Sequence, residues 1–455
     1  MGICENLRPV SLPAPDVARS RSKIHQVFEL DIDTLAHDGR GVGQRGGKPV
    51  FAAGALAGET VRVQQTGRNR HFDEARTVEV IRASPDRVAP RCPHFGICAG
   101  CVLQHLDEGR QIDAKQRALL DNLQSIGQVS AERTLAPLVD AAWGYRRKGR
   151  FSVRYVEKKG RVLVGFRETD PRYVADLSVC HTVVPEVGGR IQEIAALVDA
   201  LDGKRTLPQI EFIAGDDAVA LVFRHLEPLS AGDLVRLTDF AKASGLAVFL
   251  QPGGVDTVHA LWPDQVPLSF SIPGHDLTLA FRPLDFIQVN ATLNGKMIDS
   301  ALELLDAGPG DRVLDLFCGL GNFTLPLARR VGQVVGVEGD AGLVARAREN
   351  AARNGLANVQ FHAADLAKDL ANEPWMAAGF DKLLLDPPRA GAAEVLAQLP
   401  LDGIRRIVYV SCQPASLARD AGFLVRERGY TLKAAGAMDM FPQTAHVESI
   451  ALFEK

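Results

Sequence analysis

Val313-Leu314-Asp315-Leu316-Phe317-Cys318-Gly319-Leu320-Gly321-Asn322 is the stretch that decides the fold. Its first half is a short apolar run of the kind that forms a buried strand. Its second half places two glycines where the chain must turn and open a helix. Downstream the same alternation repeats. Val334-Val335-Gly336-Val337, Val359-Gln360-Phe361, Leu383-Leu384-Leu385 and Ile407-Val408-Tyr409-Val410 are separated by helical patterns, notably Ala341 to Asn354. Strand–helix alternation predicts a parallel, doubly wound α/β sheet that binds its ligands at the carboxyl ends of the strands.

The glycine loop lets a backbone approach a ligand closely, but the third glycine that would grip a pyrophosphate is missing. Acidic residues surround the loop instead. Glu338 closes the second strand, where a carboxylate accepts two hydroxyl hydrogens from a ribose. Asp365 ends the third-strand region, suited to an adenine edge. Asp315 and Glu338 would repel a pyrophosphate and suit a cationic sulfonium and amino group, which favours S-adenosylmethionine over a dinucleotide. The bland alternative is a structural glycine turn.

Two further strand ends carry chemistry. Asp386-Pro387-Pro388-Arg389 follows the fourth strand, and its prolines hold the chain extended so that Asp386 is aimed rigidly into the crevice. Ser411-Cys412-Gln413-Pro414 follows the fifth strand and opens a helix. A cysteine there feels the positive helix end, which favours thiolate. A buried structural cysteine is the commoner role, but Cys412 maps to the same sheet edge as the cofactor loop and Asp386, which favours a nucleophile.

The remaining cysteines are unevenly placed. Cys92, Cys98 and Cys101 share a short loop, Cys180 is remote, Cys318 lies in the glycine loop, and Cys4 belongs to a lead-in with Pro9, Pro13 and Pro15. Three thiols within ten residues, completed by Cys180, suit zinc or an iron–sulfur cluster. Spacing alone decides neither the metal nor Cys180 over His94, His105 or His181.

With 455 residues the chain exceeds one ordinary core. Residues 1–22 read as a flexible tail. Residues 23–82 show short alternating runs broken by glycines, the pattern of a small β-barrel. Residues 83–285 read as a central α+β domain, and 286–455 as the doubly wound domain. A net charge of −3 excludes a globally basic coat but not a local basic surface. Tyr145 to Tyr155 interleaves cations with aromatics, and Arg68, Arg70 and Arg76 add charge to the barrel. Both are candidate RNA contacts, or simply solvated strand faces. No apolar run is long enough for a membrane helix and no signal peptide is visible, so the reading is a cytoplasmic protein with no membrane partner.

Together these residues resemble the bacterial RNA uracil-5-methyltransferase family over nearly the whole chain from about residue 23. Within it they resemble the branch acting on 23S ribosomal RNA at the uracil-1939 type of site. The resemblance implies a TRAM (OB-like) RNA-binding barrel carrying Gly54-Ala55-Leu56-Ala57-Gly58-Glu59, and a [4Fe–4S] cluster on Cys92, Cys98, Cys101 and Cys180. It implies a Rossmann-like class I methyltransferase domain introduced by Phe281-Arg282-Pro283-Leu284-Asp285-Phe286-Ile287-Gln288-Val289-Asn290. Gln288, Phe317, Asn322, Glu338, Asp365 and Asp386 would contact S-adenosylmethionine; Asp365 stands where relatives carry asparagine. Cys412 would be the nucleophile and Glu448, in His446-Val447-Glu448-Ser449, the general base. A base within folded RNA must be exposed, so a flipped uracil near Cys412 is expected. TRAM and cluster together point away from tRNA uracil-54 enzymes and 23S uracil-747 enzymes. The expected assembly is a monomer acting on 23S ribosomal RNA without an obligatory protein partner. The alternatives are methylation of another ribosomal or transfer RNA position and, from a different class, a non-catalytic iron–sulfur RNA-binding redox sensor.

Overall fold

Strand propensity and period-2 burial account for the first unit. The computed structural model describes residues 26–455; the tail expected at 1–22 and Cys4 lie outside the described residues. The chain divides into two compact units, one running to Ala36 and over Arg40–Ser84, the other comprising His37–Gly39 and Pro85–Lys455. The first is a six-stranded sheet in the order Val27–Asp31, Thr60–Arg68, Asp73–Arg82, Lys48–Ala53, Gly41–Arg45, Thr34–Leu35. Along Thr60–Arg68, Val61 and Val63 turn inward and Thr60 and Arg62 outward. The inward residues close a small core with Leu30, Ile32, Val50, Ala52 and Ala75.

In the second unit a central six-stranded sheet runs His259–Trp262, Ala247–Gln251, Val219–Arg224, Gln209–Ala214, Lys148–Val156, Arg161–Gly165. Helices Ile191–Asp199 and Ala231–Ser244 cover one face, burying Ile194, Val198 and Leu237 against Phe151, Phe212 and Phe223. The strand Lys148–Val156 corrects the reading of Tyr145 to Tyr155 as one RNA-tracking surface. Tyr145, Arg147, Phe151 and Val153 are buried. Lys148 Nζ donates to the Leu284 and Asp285 carbonyls, and Arg150 pairs with Glu211 at 3.0 Å. Much of the positive charge in that stretch therefore serves the fold.

The C-terminal sheet holds the site. Its strands are β1 (Arg312–Leu316), β2 (Gln333–Glu338), β3 (Val359–Ala363), β4 (Lys382–Leu385), β5 (Arg406–Ser411), β6 (Thr431–Met438) and β7 (Glu448–Glu454). They lie in the order β3-β2-β1-β4-β5-β7-β6. The first five are parallel, as the alternation predicts, and β7 inserts antiparallel between β5 and β6. A short strand, Arg133–Thr134, extends the sheet beyond β6. The helices are α1 (Ala291–Leu305), α2 (Thr324–Ala328), α3 (Ala341–Arg353), α4 (Ala393–Gln398) and α5 (Pro414–Arg426). Each long helix starts where the sequence supplies a start signal. Asn290 caps α1 by accepting from Leu293 N, Asp340 caps α3 by accepting from Leu343 N, and Pro414 opens α5 at its first position. The helix Glu108–Asn122 packs Ile112 and Leu119 onto the same core as Leu316, Tyr409 and Leu417. Burying side chains of this size stabilises by about 1.5–3 kcal/mol each, so the strand ends sit on a rigid platform. No helix among the described residues is long and apolar enough to cross a membrane.

Candidate active site

Strand register brings the expected residues to one edge. Leu316 pairs with Val337 on one side and Leu385 on the other, so Phe317, Glu338 and Asp386 leave adjacent strands at the same level. Asp386 N donates to Leu316 O, and Cys318 N to Val337 O. On the far side Ser411 pairs antiparallel with Ser449. Cys412, the residue after β5, and Glu448, the first residue of β7, flank that pair on the same side, and the Glu448 carboxyl is near enough to act on the Cys412 thiol. A cysteine ending a parallel strand and a glutamate opening the returning strand are therefore placed together by backbone pairing alone.

The loop after β1 turns through Phe317 at φ 63°, Gly319 at φ 55° and Gly321 at φ 92°. Left-handed geometry is easy for the glycines and costly for Phe317, whose strain is held by the surrounding packing. Glu338 fastens the loop: one carboxylate oxygen accepts from Gly319 N at 3.1 Å and the other from Asp340 N at 3.1 Å. Gly336 in β2 lets Phe361 and the Cys318 thiol close behind the loop, since a Cβ there would lie 2.8 Å from Phe361. Asn322 forms a reciprocal amide pair with Asn294 of α1, both bonds 2.9 Å. Gln288 is buried, with its carbonyl accepting from Arg147 Nε at 2.8 Å. Asp365 stands apart: it is exposed, and its carboxylate already accepts from Ala367 N and pairs with Lys368.

Acid groups crowd this edge. Asp315 is fully buried and gives one oxygen to Thr324 Oγ1 at 2.5 Å, while its other oxygen has no partner among the described residues. Burial, then Asp386 and Glu338, push its carboxyl up to about 8. Asp386 is only half-buried by surface, yet enclosed enough by surrounding atoms that its carboxyl rises to about 7. Glu448 is pushed well above the carboxylate range by burial and then by Asp386.

Cys412 is half-buried and borders a cavity of about 540 Å³ with Arg389, Gln413, Thr444, His446 and Val447. Burial raises its thiol to about 11, Glu448 and Asp386 add to the rise, and Arg389 opposes it. This corrects the expectation that the helix end favours thiolate here, because burial and then two carboxyl groups outweigh one helix terminus. His446 Nδ1 lies 3.4 Å from Arg389 Nη2, and burial and nearby cations hold its imidazole neutral. The sequence motifs include Arg389 and His446 without giving them a role. Asn294 and Thr324 carry no sequence signal, since each acts only through a tertiary partner.

Cys92, Cys98, Cys101 and Cys180 are free thiols that line one cavity of about 200 Å³. Burial and mutual repulsion raise Cys98 to about 11 and Cys101 to about 12. His94 Nε2 is occupied, accepting from Ser178 N at 2.9 Å, which favours Cys180 as the fourth member. Among the described residues no three His, Cys, Asp or Glu side chains form a group that could hold a metal ion.

A family model described as tRNA (uracil-5-)-methyltransferase matches residues 144–455. The chain is 68% identical over 443 residues to a Xanthomonas campestris pv. campestris (strain 8004) protein named 23S rRNA (uracil(1939)-C(5))-methyltransferase RlmD, covering 96% of this chain and 100% of that one. A Stenotrophomonas maltophilia (strain K279a) protein of the same name is 66% identical over equal spans. Among solved structures, a Pyrococcus abyssi tRNA (uracil-54, C5)-methyltransferase in complex with S-adenosyl-L-homocysteine superposes with a TM-score of 0.72 at 23% identity, covering 94% of this chain and 100% of that one. That last likeness carries the fold, and the family model and the high-identity relatives carry the membership: the chain belongs to the tRNA (uracil-5-)-methyltransferase family.

Proposed function

We propose that the protein methylates C5 of a uracil in 23S ribosomal RNA, at the site its relatives' names number 1939, through a covalent bond between Cys412 and C6. The observation that carries the chemistry is the register placing Cys412 beside Glu448 at the edge that also holds Asp386 and the glycine loop. C5 of uracil is a weak nucleophile. Addition of the Cys412 sulfur to C6 forms the S–C6 bond and moves the ring electrons into a C4 enolate, which makes C5 nucleophilic. S-adenosylmethionine, when bound, supplies the methyl group and a sulfonium charge. Glu448 then takes the C5 proton, the C5–C6 double bond re-forms, and the sulfur leaves. Any positive charge set among Asp386, Glu448 and Cys412 lowers all three from their raised values and so favours the reactive anions.

Gln288, Phe317, Asn322, Glu338 and Asp386 are assigned to the cofactor, and Asp365 to its adenine end, where prior engagement by Lys368 makes it the weakest contact. The cavity beside Cys412 is assigned to a flipped uracil. Residues 23–82 are taken as a TRAM-type RNA-binding domain, 83–285 as the central domain and 286–455 as the methyltransferase domain, working as a monomer in the cytoplasm. Cys92, Cys98, Cys101 and Cys180 would hold a [4Fe–4S] cluster. Their fit rests on four free thiols around one cavity, of which Cys92, Cys98 and Cys101 are raised by burial and by neighbouring cysteines, so that positive charge among them would favour the thiolates. A four-iron body binds each thiolate at a separate iron, so the sulfurs need not converge on one point. The cluster would tie the 92–101 loop to the segment at 180, and no step of the reaction passes through it.

The test is Cys412→Ala. Methyl transfer to a 23S fragment should fall at least about 1,000-fold, covalent trapping by 5-fluorouracil RNA should vanish, and S-adenosylmethionine binding should persist. Methylation near the wild-type rate would overturn the covalent mechanism.

A further inference from the structure

The helix Glu108–Asn122 turns a polar stripe towards the core. Glu108, Gln111 and Lys115 follow one another at spacings of three and four residues and so share a face, and Gln111 and Lys115 are 1% and 2% exposed. Apolar residues at those two positions would pack without the cost of burying an amide and an ammonium group. The stripe meets the connection between β6 and β7, residues 439–447. Lys115 Nζ pairs with Asp439 at 2.6 Å and donates to Phe441 O at 3.0 Å. Gln111 Oε1 accepts from Gln443 N and Gln111 Nε2 donates to Gln443 Oε1, both at 3.0 Å. Glu108 accepts from Gln443 Nε2 at 3.1 Å.

These contacts converge on Gln443. It is buried and sits at φ 68°, a left-handed conformation that a non-glycine residue holds only when its surroundings compel it. All four of its polar atoms are engaged, because its carbonyl also accepts from Val102 N and Leu103 N. The turn it makes leads straight to the reacting edge. Phe441 O, held by Lys115, accepts from Thr444 Oγ1 at 2.8 Å, and Thr444 Oγ1 in turn accepts from His446 N at 3.2 Å. Thr444, His446 and Val447 wall the cavity beside Cys412, and Glu448 follows as the first residue of β7. We propose that Gln443 is a positioning residue for the proton-abstracting step: its clamped left-handed turn fixes where the chain enters β7 and so holds the Glu448 carboxyl at the C5 proton of the methylated adduct. The proposal rests on the covalent reading above, in which Glu448 is the base. It gives the buried polar stripe a purpose that apolar packing would not serve, since hydrogen bonds fix the direction of a turn and apolar contacts do not.

Gln443→Gly separates positioning from folding. Glycine adopts the left-handed turn without strain. The groups that lose the side chain keep other partners: Gln111 Nε2 has Leu103 O and Leu106 O, and Glu108 has Trp143 Nε1. The thermal midpoint should therefore stay within about 4 °C of the wild type's. In single turnovers of the full chain with S-adenosylmethionine and a 23S fragment carrying the target uracil, the covalent adduct should form at the wild-type rate. Its breakdown to product should slow by about 10–100-fold, the loss that a small misplacement of a reacting group brings. The KM for RNA should remain within about twofold. Gln443→Asn, which also tolerates the left-handed turn but ends one methylene short of Gln111, should show the same split if glycine loosens the fold. Adduct breakdown at the wild-type rate in both variants would overturn the proposal. So would losses shared equally by adduct formation and breakdown that track a fall in thermal midpoint, the mark of a merely structural residue. A wild-type chain that forms no adduct with the intact fragment would instead defeat the reading on which the proposal rests.

Discussion

Cys412 on one side and Cys92, Cys98 and Cys101 on the other are half-buried thiols that burial, first of all, makes less acidic, and the two centres differ in the charges that add to it. Around Cys412 the opposing charges are the carboxyls of Glu448 and Asp386, delivered by two strands of one sheet, with Arg389 pulling the other way. Around Cys92, Cys98 and Cys101 the opposing charges come largely from neighbouring cysteines, across a loop with little regular structure. The first arrangement suits a transient cation beside a substrate. The second suits a permanent one. Burial of thiols thus says little about function until the source of the remaining field is named.

Replacing the base tests the first arrangement most severely. Glu448→Gln removes the proton acceptor but keeps shape and hydrogen-bonding capacity. Turnover should fall by about 100-fold or more, while the methylated RNA–enzyme adduct accumulates and runs as a slow band in a denaturing gel. Loss of turnover without the adduct would place Glu448 before bond formation and break the assignment.

The second arrangement predicts a different pattern. Cys98→Ser should lower iron and acid-labile sulfide in anaerobically purified protein, bleach its visible absorbance and reduce its thermal midpoint. The loop also supports the reactive edge, because Val102 N and Leu103 N both donate to Gln443 O in the segment that leads to Glu448. Methyl transfer should therefore drop roughly 10-fold through lost positioning, the size of effect seen when a metal site's outer support is removed. S-adenosylmethionine affinity should not move. Unaltered iron content would remove Cys98 from the cluster.

The contrast also shows what a sequence makes visible. β1 to β5 are legible because each is a local apolar run between turn signals, and so their strand ends, with Glu338, Asp386 and Cys412, fall to one edge without further information. Glu448 is not legible from its own surroundings. Its position depends on β7 returning antiparallel beside β5, which no local pattern encodes. The acidity of Cys412 escapes a local reading for the same reason, since the helix end is local and the two carboxyls are tertiary. Arg147 escapes it because Tyr145 to Tyr155 reads alike whether one face is solvated or buried; packing of Phe151 on Phe212 decides it. The Asn294–Asn322 pair links side chains 28 positions apart and leaves no trace in either motif.

A smaller effect separates the two centres by charge alone. Cys412 should alkylate slowly in the ligand-free protein, because its thiol titrates near about 11 and only the thiolate reacts. S-adenosylmethionine and S-adenosylhomocysteine have nearly the same shape, but only the former carries a sulfonium. A nearby cation makes a thiol more acidic, so at pH 8 the thiolate fraction rises, roughly tenfold for every pH unit by which the titration midpoint falls. Iodoacetamide should therefore label Cys412 about 10-fold faster with S-adenosylmethionine than with S-adenosylhomocysteine, with Cys412→Ala as the blank. That advantage should vanish as the pH approaches about 11, where the thiol ionises without help. The four-cysteine group has no such partner, so its labelling should be indifferent to which of the two is bound. Equal labelling of Cys412 under both would mean that burial and the carboxyls, and not a missing positive charge, set the acidity of the nucleophile throughout.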